Sequence, residues 1–426
     1  MIGILFGVLF IMLFLGVPIA ICLGIAACAA IVAGGNNNLL PAVAQRMFTQ
    51  ADNFTLMAVP FFILAGNIME RGGISKRLID FIEILMRRIP GRLSCITVVA
   101  SAFFGAISGS NPATVAAIGG ITVPRMKEKG YPKDVAAAVA ASGGTLGVVI
   151  PPSIPMVTYA VTASVSVGTM FMAGVVPGIL LAIVLITVNI LICRRYDAAE
   201  KGKVGPKEFA HSLKEAVLAI FMPVIILGGI YGGLFTPTES AAVACVYAFI
   251  ISVFVYKELT LPDIYVIFKK SAVSSAVVLF VVSMSAPFAW FMTHQNISTY
   301  IAGSVLGLFS NKYMLLLMIN VILLFLGCFL ETQSIILLVT PILMPIATSL
   351  GLSHIALGII IIINTSIGMI TPPMAVNLFV ASGIADTSIG KISKRIIPYL
   401  AAEIAALLLM TFIPSIITWL PTTLGV

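Results

Sequence analysis

Residues 143–159 read GGTLGVVIPPSIPMVTY. The stretch is an apolar helix that stops at Gly147, passes through Pro151 and Pro152, and resumes. Proline rejects an interior helical position, and Ile150, placed before Pro151, is pushed out of the helical region. The backbone groups freed by such a break cannot be left facing lipid. Inside a membrane a broken helix is tolerated where it lines a cavity or is buried in protein, which makes the stretch a candidate site. It recurs at 364–380 as NTSIGMITPPMAVNLFV.

Composition places both stretches in a bilayer. Of 426 residues, 60% are hydrophobic and 9% charged, and the mean hydropathy is +1.14. Soluble domains carry roughly 25% charged residues, so this reads as an all-α polytopic membrane protein. The net charge of +8 does not point to nucleic acid, because the basic residues sit in short loops between apolar runs. Six cysteines lie singly in or at the ends of apolar runs, without ligand spacing, and read as buried free thiols. The three histidines are far apart, which argues against a metal centre built on them. Ala27-Cys28-Ala29 imitates a cleavage site, but no Lys or Arg precedes the apolar run, which reads as retained membrane helix.

Shifted by 221 residues, the chain matches itself. Gly7 falls on Gly228, Pro124 on Pro345, Gly130 on Gly351, Gly147 on Gly368, Pro151-Pro152 on Pro372-Pro373, and Pro177 on Pro398. Gly and Pro fix backbone shape, so residues 1–205 and 222–426 read as one fold used twice, joined by a linker and repeat start at 206–221. In the first half, 1–15 and 17–33 are apolar, with Gly16 and Pro18 between them, and a span covers Phe54 to Met69. Ser75 to Arg88 is amphipathic and is expected along the membrane surface. Two short runs around Ser108-Gly109-Ser110-Asn111-Pro112 form a re-entrant hairpin, about 93–124. The broken helix covers about 133–166 and a last span about 168–193. The second half predicts spans at about 216–235, 239–256 and 272–293, a hairpin at about 314–345, a broken helix at about 353–384 and a last span at about 396–419.

Placing 71–92, 125–133, 194–214, 257–270 and 391–395 in the cytoplasm puts 22 of the 24 basic residues inside. The two halves are then inverted, which needs an odd number of crossings in each. There are five if 1–15 and 17–33 are separate spans, and four in the first half if 1–33 is one tilted helix.

Two hairpins entering from opposite faces, each beside a broken helix, form the binding site of a secondary transporter. Helix starts inside the bilayer suit a carboxylate, and helix ends offer carbonyls for Na⁺. A first Na⁺ site draws on Ser108, Ser110, Asn111, Thr145, Gly147 and Pro151. A second draws on Thr332, Gln333, Ser366, Gly368 and Thr371. The substrate is expected near Ser153, Thr158, Thr332 and Asn377. Ser, Thr and Gly also mediate helix packing in lipid, so any single hydroxyl reads either way. The tips as a group favour coordination, because polar turns at mid-depth otherwise have no reason to exist. No Lys or Arg lies deep in any span, so recognition of an anion falls to N–H groups, hydroxyls and amides, or to a partner. Three acidic residues lie in apolar segments. Glu239 follows Thr236-Pro237-Thr238 and reads first as a helix cap, Glu331 sits at the second tip, and Glu403 is expected to pair with a neighbouring helix or a partner. No G-x-S-x-G and no Walker motif is present, so neither hydrolase nor ATPase chemistry is expected.

With GAISGSNPATVAAIGG (105–120), GGTLGVVIPPSIP (143–155), GLFTPTESAAVA (233–244) and GMITPPMAVNLFV (368–380), the chain resembles the large (M, DctM-like) subunit of tripartite ATP-independent periplasmic (TRAP) transporters over essentially its whole length. The resemblance implies a Na⁺-driven elevator, a scaffold plus a transport domain, in a bacterial inner membrane. It implies a small four-helix Q subunit and a periplasmic substrate-binding protein as partners, and an organic acid of the C4-dicarboxylate or sialic acid type as substrate. The hairpin and loop sequences lean toward the sialic acid branch. A binding-protein-independent Na⁺/carboxylate carrier of similar architecture is the alternative.

Overall fold

The computed structural model describes residues 1–197, 206–308 and 311–425, all in helices and their connections, with no strand among them. Among the described residues, eight helices are long and apolar enough to cross a membrane. The N-terminal stretch is two helices, α1 (Ile2–Phe14) and α2 (Ile19–Ala33), packed against each other. Gly16 turns the chain at φ +78°, and the amide of Val17 reaches back to the carbonyl of Met12 at 3.1 Å, a glycine-terminated helix end. The reading of 1–33 as one tilted helix is thereby excluded.

Next come α3 (Leu40–Ala51), which fills the interval between the expected runs 17–33 and 54–69, α4 (Ala58–Arg71) and α5 (Ile74–Leu85). The apolar face expected to meet lipid on α5 is instead covered by protein: Ile74, Leu78, Ile79 and Ile82 are buried, and α5 packs on both α6 (Arg92–Ser108) and α11 (Pro206–Tyr231). The first hairpin is α6 with α7 (Asn111–Glu128). The broken helix is α8 (Lys133–Gly143), a 3₁₀ turn at Gly144–Gly147, an irregular stretch, and α9 (Ile154–Ala163). The long α10 (Val167–Cys193) closes the half.

In the second half, helix occupies 206–221 from Pro206 onward, so this stretch is the start of α11 rather than linker; residues 198–205 lie outside the described residues. Then follow α12 (Pro237–Ile250) and α13 (Leu261–His294). The latter begins eleven residues before the span read from hydropathy, because Thr260 and Asp263 form a reciprocal capping box that starts the helix in a polar stretch. An unexpected α14 (Ile297–Leu308) precedes the second hairpin, α15 (Lys312–Phe329) and α16 (Thr332–Ser349). The second broken helix is α17 (His354–Gly368) and α18 (Val376–Ala385). The last span divides at Pro414 into α19 (Ile389–Phe412) and α20 (Ser415–Thr423).

The packing interlocks the halves. Helix α18 lies on α7 and α8, α16 lies on α9, and α19 lies on α8 and α17. To one side, α4 packs on α12 and α13, while α13 also packs on α2 and α3. The hairpins and broken helices therefore meet one another and, across one face, the α4–α13 wall.

Candidate functional site

The first tip is a turn at Gly109, φ +57°, between the end of α6 and the start of α7. A Cβ there would stand 2.8 Å from the amide nitrogen of Ile154, so the turn needs glycine for both its angle and its contact. Ser108 Oγ lies 3.0 Å from Thr114 Oγ1, which donates to the Ser110 carbonyl at 2.8 Å. Gly147 seats on this tip: a Cβ would approach the Ser110 carbonyl oxygen to 2.7 Å. The second hairpin closes on its own break in the same manner, with a Cβ on Gly368 falling 2.5 Å from Gly327 Cα.

Side chains from the two halves join in one buried network. Asn111 Nδ2 donates to Ser366 Oγ at 2.7 Å, and Ser366 Oγ donates to the Thr145 carbonyl at 2.7 Å. Thr145 Oγ1 donates to Glu403 Oε1 at 2.7 Å and also lies 2.7 Å from the Ser142 carbonyl. Asn377 Nδ2 reaches the Ala141 carbonyl at 3.3 Å, and Thr332 Oγ1 contacts Met369 Sδ at 3.7 Å. The carboxamide oxygens of Asn111, Gln333 and Asn377 are buried with no hydrogen-bond partner. An acceptor left bare in a protein interior costs about 1–3 kcal/mol, so these oxygens favour a cation or donor that the protein does not itself supply.

Over this network lies a cavity of about 370 Å³, the size of a small-molecule site. Both tips line it, at Ser108 to Ala113 and at Glu331 to Gln333, together with Met369. The opposite wall is α4 and α13, which contribute Asn67, Glu70, Lys270 and Ser274 among others.

The residues expected from sequence distribute unevenly. Ser108, Ser110, Asn111, Thr332 and Gln333 line the cavity. Thr145 and Ser366 lie beneath it, and Ser366 bonds to Asn111 and Thr145 across the expected division into two sites. Gly147 and Gly368 are contact points between each hairpin and its break. Pro151 is buried in the first break, off the cavity wall, and Thr371 Oγ1 turns back to the Ile367 carbonyl at 2.9 Å. Of the substrate candidates, only Thr332 faces the cavity. Ser153 precedes α9 and turns its hydroxyl to the Val148 carbonyl at 2.6 Å, while Thr158 and Asn377 are fully buried. Glu239 is the cap the sequence suggested: Thr236 N donates to its Oε2 at 2.8 Å, and its own amide donates to Thr236 Oγ1 at 3.3 Å. Glu403 pairs with a neighbouring helix through Thr145.

Missed from the sequence were Glu70 and Lys270, which sit at the ends of apolar runs and read as loop flanks. The capping box at Thr260 was the available signal, since a helix starting there carries Lys270 within it.

A family model described as tripartite ATP-independent periplasmic transporter, DctM component, matches residues 6–416. The chain belongs to this family. It is 46% identical to the isethionate TRAP transporter permease protein DctMQ of Oleidesulfovibrio alaskensis across 97% of its own length, and it spans 65% of that relative. It is 39% identical to the C4-dicarboxylate TRAP transporter large permease protein DctM of Rhodobacter capsulatus, across 99% of both. It is 36% identical to the sialic acid TRAP transporter large permease protein SiaM of Vibrio cholerae, across 99% of this chain and 98% of that one. Among solved structures, the YdaH transporter of Alcanivorax borkumensis shares the fold at a TM-score of 0.66 and 14% identity, over 91% of this chain and 90% of its own. DctM proteins are permease subunits rather than enzymes, and the chain is accordingly an inner-membrane transport protein.

Proposed function

We propose that the chain is the large permease subunit of a Na⁺-driven importer of an organic anion, handed over by a periplasmic binding protein and carried with the help of a small four-helix membrane subunit. The observation that carries the reading is the floor of the cavity, where tips and breaks from both halves converge and leave the carboxamide oxygens of Asn111 and Gln333 without partners. Oxygen ligands suit Na⁺, and each of the two broken helices ends beside one of the tips. Residues 1–205 and 222–426 are read as inverted repeats, supported by the matched glycine contacts of Gly105 with Gly147 and Gly327 with Gly368. The hairpins and broken helices form the moving body of an elevator, and α4, α12 and α13 form part of its scaffold. The relatives' names span a sulfonate, C4-dicarboxylates and a sialic acid, so the shared chemistry is a small organic molecule with an acidic group.

Proteoliposomes holding the chain with its small subunit and binding protein, given an inward Na⁺ gradient, are expected to accumulate such an anion. Equal uptake with K⁺ in place of Na⁺ would sink the coupling. Uptake undiminished by omission of the binding protein would favour the self-sufficient carrier instead.

A further inference from the structure

The cavity wall formed by α4 and α13 carries a charge pair, Lys270 with Glu70. Ile63, Gly66, Asn67 and Glu70 follow one another at helical spacing along α4 and face the cavity. Lys270, Val273, Ser274 and Val277 do the same along α13. The two helices are tied together beside this end, where Asn67 Nδ2 donates to the hydroxyl of Ser271, the residue after Lys270, at 2.9 Å. At the ends, Lys270 Nζ stands 3.4 Å from Glu70 Oε2.

Lys270 is the sole cationic side chain among the described residues lining the cavity; the other charged groups there are Glu70 and Glu331. The pair lies at the wet mouth, with the Lys270 side chain 59% exposed and that of Glu70 35% exposed, whereas Asn111 and Thr332 at the floor are shut off from solvent. From Lys270 to Val278, beside the tips, the helix rises by about 12 Å. An anion moving between floor and mouth therefore passes along this wall and meets one positive charge on it.

The pair is built to exchange. Its separation is longer than the 2.7–2.9 Å or so of a strong charge-assisted bond, and exposed pairs of this kind contribute little to stability. A carboxylate or sulfonate arriving at Lys270 replaces Glu70 with an equivalent partner and leaves the Glu70 carboxylate in water. We propose that Lys270 is the cationic contact for the anionic group of the transported molecule at the cavity mouth, and that Glu70 competes with the substrate for it. The proposal rests on the transport reading above. Glu70 keeps the affinity at this mouth low, which favours release on the side where 71–92 and 257–270 lie.

The two residues have opposite signatures, which a merely structural ion pair would not. The chain is purified with its small subunit and reconstituted with its binding protein. Succinate, isethionate and N-acetylneuraminate are then tested, and the anion the wild type accumulates becomes the probe. Exchange of that probe from the mouth side gives KM. Lys270→Met is expected to raise KM roughly tenfold, Lys270→Arg to restore it to within about twofold of wild type, and Glu70→Gln to lower it. Monodisperse elution of each variant with the small subunit checks the fold. Wild-type accumulation of none of the three anions overturns the transport reading, and the Lys270 assignment with it. Wild-type accumulation with KM unmoved in Lys270→Met, or with Glu70→Gln shifting KM in the same direction as Lys270→Met, overturns the Lys270 assignment alone.

Discussion

Asn111 shows what one side chain does at the junction of the halves. Its amide nitrogen holds Ser366 at 2.7 Å, and its oxygen is buried without a partner. The residue thus both ties hairpin 1 to broken helix 2 and presents an unpartnered oxygen, which the proposed function assigns to Na⁺. Asn111→Ala removes both, and the half-saturating Na⁺ concentration for uptake is expected to rise roughly tenfold, as loss of one ligand contact would produce. Binding-protein affinity, measured on the detergent-solubilised complex, is expected to stay unchanged. Wild-type Na⁺ activation in this variant would remove Asn111 from the site. The candidacy of Asn111 was legible, since Ser108 to Asn111 is a polar run where the chain is too short to have crossed. Its partner was not, because Ser366 is 255 residues away and no local pattern encodes that distance.

At the scale of single elements, capping decided two readings with opposite success. Thr236-Pro237-Thr238-Glu239 announced a helix start, and the structure closes the capping box there. Glu239 is therefore occupied by backbone, and Glu239→Gln is expected to leave Na⁺ dependence of uptake as it is. Thr236→Ala removes the acceptor for the Glu239 amide and is expected to cost about 1 kcal/mol, seen as a lower thermal midpoint of the purified complex. A changed Na⁺ dependence in Glu239→Gln would make that carboxylate a candidate ion ligand in addition to a cap. The equivalent signal at Thr260 was overlooked because Lys269 and Lys270 follow it, and charge next to an apolar run reads as loop. A 34-residue helix is about 51 Å long, well beyond the roughly 30 Å hydrocarbon core, so it holds charged residues at its end without placing them in lipid. The same limit applied to α5, whose amphipathic pattern specifies a face to be covered but not whether lipid or α11 covers it.

At the scale of the whole molecule, the elevator reading makes a mechanical claim about one interface. Val282 of α13 and Leu337 of α16 belong to a small buried cluster with Leu56, separate from the main core. Such a thin contact suits two bodies that slide. In a background lacking the six native cysteines, cross-linking Val282→Cys to Leu337→Cys is expected to halt uptake, with recovery on reversal. Cross-linking Phe54→Cys to Thr238→Cys, placed where Thr238 Oγ1 donates to the Phe54 carbonyl at 3.2 Å within the α4–α12 side, is expected to leave uptake near its uncrosslinked rate. Undiminished uptake with α13 tied to α16 would exclude relative motion of these bodies.

The sequence alone determined the class, the helical hairpins and the two broken helices, because hydropathy, glycine and proline act on the backbone within a few residues. It also placed the polar tips, since an unpaired polar turn in an apolar run has few places to go. The stretch at 143–159 was identified as a break by these rules, with its carbonyls and hydroxyls named as candidates. Only the tertiary structure decided what the break meets: Ser366 from the other half on Thr145, Glu403 from α19 on the same residue, and Gly147 on the Ser110 carbonyl. It also decided that the α4–α13 wall faces the tips and sets Lys270 at the mouth. Contacts between segments two hundred residues apart depend on how whole helices pack, and packing is set by shape complementarity summed over many side chains rather than by any local pattern.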